Sequence, residues 1–562
     1  MYIIKKYIHD LVRAPIFWII VLALIMRLPG ILYGLPLWLF GDEPSLILAA
    51  LKMIQLRTLV PAFHVSEFWP LLYYPPYLAY IYLPFFSLVA VLKFISFGTN
   101  LDIFQNLIAS NVSSFFIVAR FLNVIFAAVS IFLIYRTAES LLKNRIGALA
   151  AAFLVSTSML HVMLSFTARH WLAVFTLLST VLYFLSHEKL KFKQRYFFAT
   201  VAAGFSIGVS TIGIINGLLI ILWYLCIDRR TLLSMLREKI FYQCLVVFLG
   251  LAILPIILYP LSFGFAPDTT IHGFKNLVGA LLSPINFLQS LAVSEPIIMS
   301  LFVVGLFALF KMNRRLFITF VTFVFAYSLI FYAFFRFEHR FILPLMAIIA
   351  IVSGLGFQSV FEILSRHRLR WIGILLLIIP LFFTTRMALL ASRNDSRVLA
   401  MRYLEQVAPS GERVIVYANL MRLPTTKEAI IEQTVIDSKS LRTVDRAEAE
   451  LPKEYRSKRV FHALNLYTVS NTEFYNNIED YVRKNDYRYL IVATKDFLNN
   501  QTQTDKVLNL RTQGELVAVF GSEGGNYSIA ESDINGNPFK LFALQEFGPR
   551  IEIYRMNYEI RP

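Results

Sequence analysis

Charge is scarce in this chain and cysteine is nearly absent. Only 16% of the 562 residues are charged, and the two cysteines are Cys226 and Cys244. Both cysteines fall at the ends of apolar runs expected to face the cytoplasm, so no disulfide framework is implied. The sequence has no Walker A loop, no GxGxxG turn, no HExxH and no Cys/His zinc spacing, which argues against a nucleotide-driven activity. It also lacks the regular series of intramembrane acids that a proton-coupled pump needs. Internal repeats and low-complexity tracts are missing. No cleavable leader is evident: the first apolar stretch follows Lys5, Lys6 and Arg13, is long, and has no small-residue cleavage site, so it reads as an uncleaved anchor.

What is abundant is apolar surface. The chain is 57% hydrophobic, with 51 Phe and 27 Tyr, and its mean hydropathy is +0.62. Soluble chains run nearer roughly 45–50% apolar, so the excess calls for a lipid solvent. Apolar runs of spanning length fall at about 15–34, 115–135, 146–164, 171–186, 241–261, 295–310, 316–334, 341–361 and 371–389. Residues 197–227 read as two short spans with a tight turn near Ser210–Gly213. The expected fold is an α-helical polytopic membrane protein of about eleven transmembrane helices with a C-terminal soluble α/β domain.

The net charge of +17 is unevenly placed. Residues 391–562 hold 23 basic and 23 acidic groups, which leaves 30 basic and 13 acidic in the apolar part. Twenty of those 30 basic residues fall in six groups on one side if Tyr77–Phe97 does not cross the membrane. The groups are Lys5/Lys6/Arg13, Arg136/Lys143/Arg145, Lys189–Arg195, Arg229–Lys239, Lys311–Arg315 and Arg366–Arg370. If that segment does cross, the bias inverts for most of the chain. The positive-inside rule therefore predicts a segment lying in or dipping into the outer interface, with Pro75, Pro76 and Pro84 interrupting its helix. The expected topology in the cell membrane is N-terminus cytoplasmic, a membrane domain over 1–391 with a long first outer loop at 35–114, and an extracytoplasmic domain over 392–562. In that domain Asp395–Val407 reads as a helix, and Arg413–Tyr417, Tyr487–Ala493, Glu515–Phe520 and Ile551–Tyr554 read as strands. Nucleic acid is not expected as a partner, since basic loops between spans account for the charge.

Acids on the outer side of the membrane half are few: Asp42, Glu43, Glu67, Asp102, Asp268, Glu295 and Glu338. Asp42 and Glu43 follow the apolar run Leu35–Phe40 at the first span's outer end. A carboxylate there is partly desolvated and can act as a base; the plainer reading is a helix cap or a solvated loop pair. Arg340, in Arg336-Phe337-Glu338-His339-Arg340, can hold a phosphate in a fork of hydrogen bonds or simply snorkel to headgroups. Arg169 and His170, in another outer turn, carry the same two readings. His64 and Glu67 could ligate a metal, contact substrate or do neither. Arg27 and Arg120 lie in or near spans, where a charge calls for a polar cavity or a paired acid.

Several stretches together are similar to the GT-C fold membrane glycosyltransferases, nearest to bacterial relatives of protein O-mannosyltransferases and of the lipid A aminoarabinose transferase. They are Arg27-Leu28-Pro29-Gly30, Gly41-Asp42-Glu43-Pro44, Tyr73-Tyr74-Pro75-Pro76-Tyr77, Ala119-Arg120 opening an "R-x-x-S/N" helix, and Glu338-His339-Arg340-Phe341-Ile342-Leu343-Pro344. Asp395-Ser396-Arg397 and Gly548-Pro549-Arg550 extend the likeness to almost the whole chain. The resemblance implies transfer of a hexose or pentose from a polyprenyl-phosphate donor to an acceptor protein, lipid or glycan on the outer face, with inversion. Asp42 would take the acceptor proton, and Glu43 would orient the acceptor or share that proton. Arg340, with His339, and Arg169 and His170 would hold the donor phosphate; Glu67, His64 and Tyr74 would contact substrate. Many relatives carry an acid where this chain has Ala168-Arg169-His170-Trp171, which argues against a metal bridging two carboxylates. No cofactor is firmly implied, and a divalent metal has no support from the residues. The competing readings are a transporter or lipid-glycan flippase, which would favour inverted repeats that are not found, and a surface-polysaccharide polymerase or ligase.

Overall fold

The computed structural model describes residues 14–69, 71–263, 277–334, 338–440, 443–493, 501–522 and 537–557. The expected cytoplasmic group Lys5/Lys6/Arg13, Asp268 and Arg336 lie outside them. Among the described residues, seven helices are long and apolar enough to span a bilayer, or up to nine if each of two bent pairs counts as one span. Four shorter apolar helices, Trp171–Ser186, Thr211–Ile227, Leu281–Ser294 and Pro296–Met312, accompany them.

The helical part is built around His339–Arg366, which is buried over 94% of its most apolar window. It packs against Arg145–Ser156 and Pro296–Met312 through small residues. A Cβ added to Gly305 would sit 1.9 Å from the Val352 carbonyl oxygen, and one on Gly356 would sit 2.0 Å from that of Leu301. Lipid gives no hydrophobic drive for helix–helix contact, so this close backbone approach, with its dispersion contacts, is what holds the pair.

Arg145–Ser156 and Met159–Ser165 are bent by 54° at Thr157–Ser158, which frees backbone groups inside the bundle. Three other helices satisfy them. The Arg27 guanidinium donates to the carbonyls of Ser156 at 3.0 Å and Val155 at 3.5 Å, and contacts His161 Nδ1 at 2.7 Å. The Thr384 hydroxyl donates to the Thr157 carbonyl, and Glu295 accepts from Ser158 Oγ at 2.7 Å and Leu160 N–H at 3.1 Å. A broken helix at membrane depth is tolerable only with such replacements. Arg27 is thus paired with carbonyls and an imidazole rather than with an acid.

Tyr77–Phe97 differs from expectation. It is one continuous 21-residue helix with Pro84 inside it, and it is long and apolar enough to span. Pro75 and Pro76 stand before its first turn, where a missing N–H costs nothing. Both of its ends, however, meet groups on the side of the soluble domain. Tyr74, just before it, touches the turn at His170, and Leu101–Ser110, just after it, packs on Thr443–Glu450 of the soluble domain. Its exposed face (Leu88, Val91, Leu92, Ile95) is apolar, as a face turned to lipid requires.

The C-terminal region forms a five-stranded sheet in the order β2-β1-β3-β5-β4. The strands are β1 Arg413–Tyr417, β2 His462–Asn465, β3 Tyr489–Ala493, β4 Gly514–Phe520 and β5 Ile551–Met556. β2, β1 and β3 are parallel, while β5 runs antiparallel to both β3 and β4. β1 and β3 are nearly unbroken apolar runs, as strands covered on both faces require. One apolar core runs from Ile16 and Phe40 in the membrane part to Val414, Ile491 and Ile553 in the sheet.

Gly305→Ala and Gly356→Ala are each expected to destabilise the protein by about 1–3 kcal/mol, the usual cost of overpacking. Thermal unfolding in detergent measures it; a melting temperature equal to wild type in both would refute the close-packed helix pair.

Candidate active site

Helix Ser113–Leu142 organises the site from one face. Arg120, with no exposed surface, donates from Nε and Nη2 to the two carboxylate oxygens of Glu43, both at 2.7 Å. Its remaining nitrogen, Nη1, donates to the carbonyls of Ile31 and Tyr33, both at 2.8 Å. The guanidinium lies between the rings of Phe40 and Phe116, 5.4 and 5.8 Å from their centroids. Glu43 also accepts the Ala168 N–H at 2.7 Å. One turn further along, Asn123 donates to the carbonyls of Thr167 and Arg169, the latter at 2.8 Å. Two residues three apart on one helix therefore fix both the loop bearing Asp42 and the turn bearing Arg169 and His170.

Asp42 stands at the N-cap position of helix Glu43–Leu56, yet its side chain makes no capping bond. The plain reading of it as a helix cap does not hold. Its carboxylate points instead into a cationic cleft: Oδ2 lies 3.6 Å from Arg169 Nη2 and 3.5 Å from Arg340 Nη2. Tyr74 donates its hydroxyl to the carboxylate. Burial opposes ionisation of Asp42, but the two arginines and Tyr74 outweigh it and hold the acid below its ordinary range. Burial pushes the His170 imidazole down to about 3, so it is neutral. Arg340 also pairs with Glu338 at 2.5 Å, and its 3-10 segment His339–Leu345 is held by the Tyr327 hydroxyl donating to the Phe341 carbonyl at 2.7 Å.

Around this ion cluster several buried polar atoms have no hydrogen-bond partner among the described residues: Asp42 Oδ2, His170 Nδ1, Trp171 Nε1 and His339 Nε2. Tilted rings line it: Tyr74 lies 4.4 Å from His170, His170 4.5 Å from Trp171, and Trp171 5.1 Å from Phe341. Unsatisfied buried groups in a native protein call for a ligand or water to complete them.

Of the residues singled out in sequence, Asp42, Arg169, His170, Arg340 and Tyr74 come together. His339 sits beside Arg340 and contacts Ser290 Oγ through Nδ1 at 2.6 Å. Glu67 is exposed and paired with Lys52 at 2.8 Å, with His64 near it, so the structure shows neither at the Asp42 cluster. Glu43 stands apart from this cluster: it has no exposed surface and is bonded to Arg120 and the Ala168 N–H, the geometry of a positioning residue. Sequence reasoning missed Asn123, Trp171 and Tyr33; the "R-x-x-S/N" pattern contained Asn123 without revealing its role. Among the described residues no three His, Cys, Asp or Glu side chains come together as a metal site.

The fold and the cluster define a polytopic membrane protein with one acid facing two arginines beneath a soluble domain. Residues 102–259, which carry Arg120, Asn123, Arg169 and His170, match the family model of the dolichyl-phosphate-mannose-protein mannosyltransferases. The chain is similar to membrane glycosyltransferases of the GT-C type. Among solved structures it is similar to ArnT from Cupriavidus metallidurans in the apo state, at 11% identity over 98% of each chain with a TM-score of 0.49. The same protein bound to undecaprenyl phosphate matches at 11% identity over 98% of each chain, with a TM-score of 0.42. Arabinofuranosyltransferase AftD from Mycobacteria (mutant R1389S) matches at 14% identity over 97% of this chain and 42% of its own, with a TM-score of 0.41. No curated protein matches.

Removing one partner of the Arg120–Glu43 pair leaves a buried charge uncompensated and costs about 3–5 kcal/mol. Glu43→Gln or Arg120→Met alone is expected to lower the melting temperature sharply, and the double variant to recover part of the loss. Additive losses in the double-mutant cycle would show that the two groups do not act as a pair.

Proposed function

We propose that this protein is a glycosyltransferase that moves a sugar from a polyprenyl-phosphate donor to an acceptor hydroxyl on the outer face of the cell membrane. The observation that carries the reading is the Asp42 carboxylate, held 3.5–3.6 Å from two arginines amid buried polar atoms without hydrogen-bond partners among the described residues. A matched family whose description names a dolichyl-phosphate sugar donor supports the donor class. In this reading the N-terminus is cytoplasmic and the domain from residue 392 onward is extracytoplasmic, an orientation that the charge distribution supports.

Asp42 is the base. The acceptor oxygen attacks the anomeric carbon as its proton passes to the Asp42 carboxylate, and the bond from that carbon to the donor phosphate oxygen breaks, inverting the centre. The donor is a phosphodiester with one negative charge. The departing polyprenyl phosphate is a monoester that gains another as it leaves. Arg169 and Arg340 stand where that growing charge is stabilised, and a preorganised donor of this kind is worth about 10²–10³ in rate. His170 and His339, each with a buried ring nitrogen that has no partner among the described residues, supply further hydrogen-bonding groups, and Tyr74 fixes the base.

The same arginines explain how one acid can rest and then act. Without donor they clamp Asp42 in its ionised form and leave it a weak base. A phosphate that takes their charge releases the clamp and adds a negative neighbour, so the acidity of Asp42 falls and its basicity rises when substrate is present. The base must be ionised to work, so activity falls as pH drops through its pKa. The acid limb of kcat, which reports the donor-bound enzyme, is expected at higher pH than that of kcat/KM, which reports the free enzyme. Coincident limbs would mean that the phosphate does not meet the arginines.

Asp42→Asn is expected to cut transfer by about 10²–10⁴-fold, the usual worth of a general base. Donor binding and the melting temperature should stay close to wild type. Transfer from a polyprenyl-phosphate sugar in proteoliposomes measures it, and undiminished turnover would remove Asp42 from the role.

A further inference from the structure

A second cavity, of about 370 Å³, opens at the seam between the two parts of the molecule. Its walls come from the outer turn after the first span (Leu32), the start of helix Ser113–Leu142 (Ser113, Ile117), the exit of the last membrane helix (Arg393, Asn394) and the first soluble helix (Arg402). Leu32, at 63% exposure, continues the apolar surface of the first span, where Ile25 is 60% exposed. One end of the cavity therefore belongs to the bilayer and the other to the aqueous domain.

The lining contains two arginines and no acid. Arg402 makes no hydrogen bond or ion pair among the described residues, and Arg393 uses Nη1 to donate to the Gln545 carbonyl at 2.8 Å. Two guanidinium groups beside hydroxyl and amide side chains, with apolar walls at the outer membrane boundary, match one ligand chemistry. That ligand is a phosphate attached to a hydrocarbon chain, with the phosphate on the arginines and the chain along Leu32 and Ile117.

We propose that this cavity is a binding site for an anionic phospholipid, separate from the Asp42–Arg169–Arg340 cluster and independent of the transfer reaction. The lipid would fill the seam behind Tyr33, whose carbonyl holds Arg120.

Titration of the full-length protein in detergent with phosphatidylglycerol, phosphatidylcholine or inorganic phosphate, read by native mass spectrometry, tests the site. Each arginine near an anionic headgroup contributes about fivefold in affinity. Wild type should retain phosphatidylglycerol over phosphatidylcholine; R402Q should lower that retention about fivefold, and R393Q/R402Q about twentyfold. I117W, which fills the apolar end and leaves both arginines, should lower it as well. Because Arg393 also holds Gln545, R402Q and I117W decide the matter if the double variant fails to fold. Unchanged retention in R402Q or in I117W would overturn the proposal. So would displacement of the lipid by inorganic phosphate at equal concentration, which would mark a site for free phosphate.

Discussion

The ion pair between Arg120 and Glu43 is the contact on which the rest of the site depends. It joins the first third of a membrane helix to the start of helix Glu43–Leu56, its guanidinium lies between two phenyl rings, and each of its polar atoms has a partner. A buried pair of this kind contributes little net stability, because desolvating both charges offsets most of their attraction. Its return is in specification. Only one placement of the loop satisfies the Arg120 guanidinium with both Glu43 oxygens and with the Ile31 and Tyr33 carbonyls, and that placement turns the neighbouring Asp42 outward into the cleft.

The cleft then shows an opposite arrangement of the same ingredients. Asp42 is close to two arginines but bonded to neither at hydrogen-bond distance, and its carboxylate is a quarter exposed. A carboxylate meant for structure would close that gap, as Glu43 does. Two acids adjacent in sequence are thus separated in role by which side of one helix start they face. The saturated acid has nothing left to offer a substrate, and the unsaturated one has.

Much of this could be read in the sequence, and what could not has a common cause. Asp42 and Arg340 stood out because a charge at the end of an apolar run has few inexpensive places to go. Arg169 and His170 stood out for the same reason. The role of Glu43 was hidden because its partner lies 77 residues away, and only helix packing decides which of two adjacent carboxylates turns inward. The Asp395 contact to Tyr33 spans 362 residues and was hidden likewise. In the soluble domain the apolar strands β1 and β3 were legible, whereas β2, only four residues long with polar ends, was not. Tyr77–Phe97 misled in a third way. Its prolines looked like breaks, but two precede the helix and the one inside it costs a single backbone bond.

The soluble domain is tied to the site by the same kind of buried polar contact. Asp395, at the exit of the last membrane helix, accepts the Tyr33 hydroxyl at 2.5 Å on one oxygen and Arg397 Nε at 2.9 Å on the other. Ser396 bonds to Phe547 and Pro549, and a Cβ on Gly548 would fall 2.2 Å from Ser396 Oγ, in a backbone conformation that other residues avoid. Arg386 and Arg393 hold the carbonyls of 541–545 from the membrane side. Tyr33 is therefore gripped twice, by Arg120 through its carbonyl and by Asp395 through its hydroxyl, and nine residues later the chain reaches Asp42. A shift of the soluble domain that broke the Asp395 contact would leave one buried Asp395 oxygen without its donor and loosen the near end of that loop. The domain is thereby part of what sets the distance between the acid and the arginines, although it contributes no side chain to the cleft among the described residues.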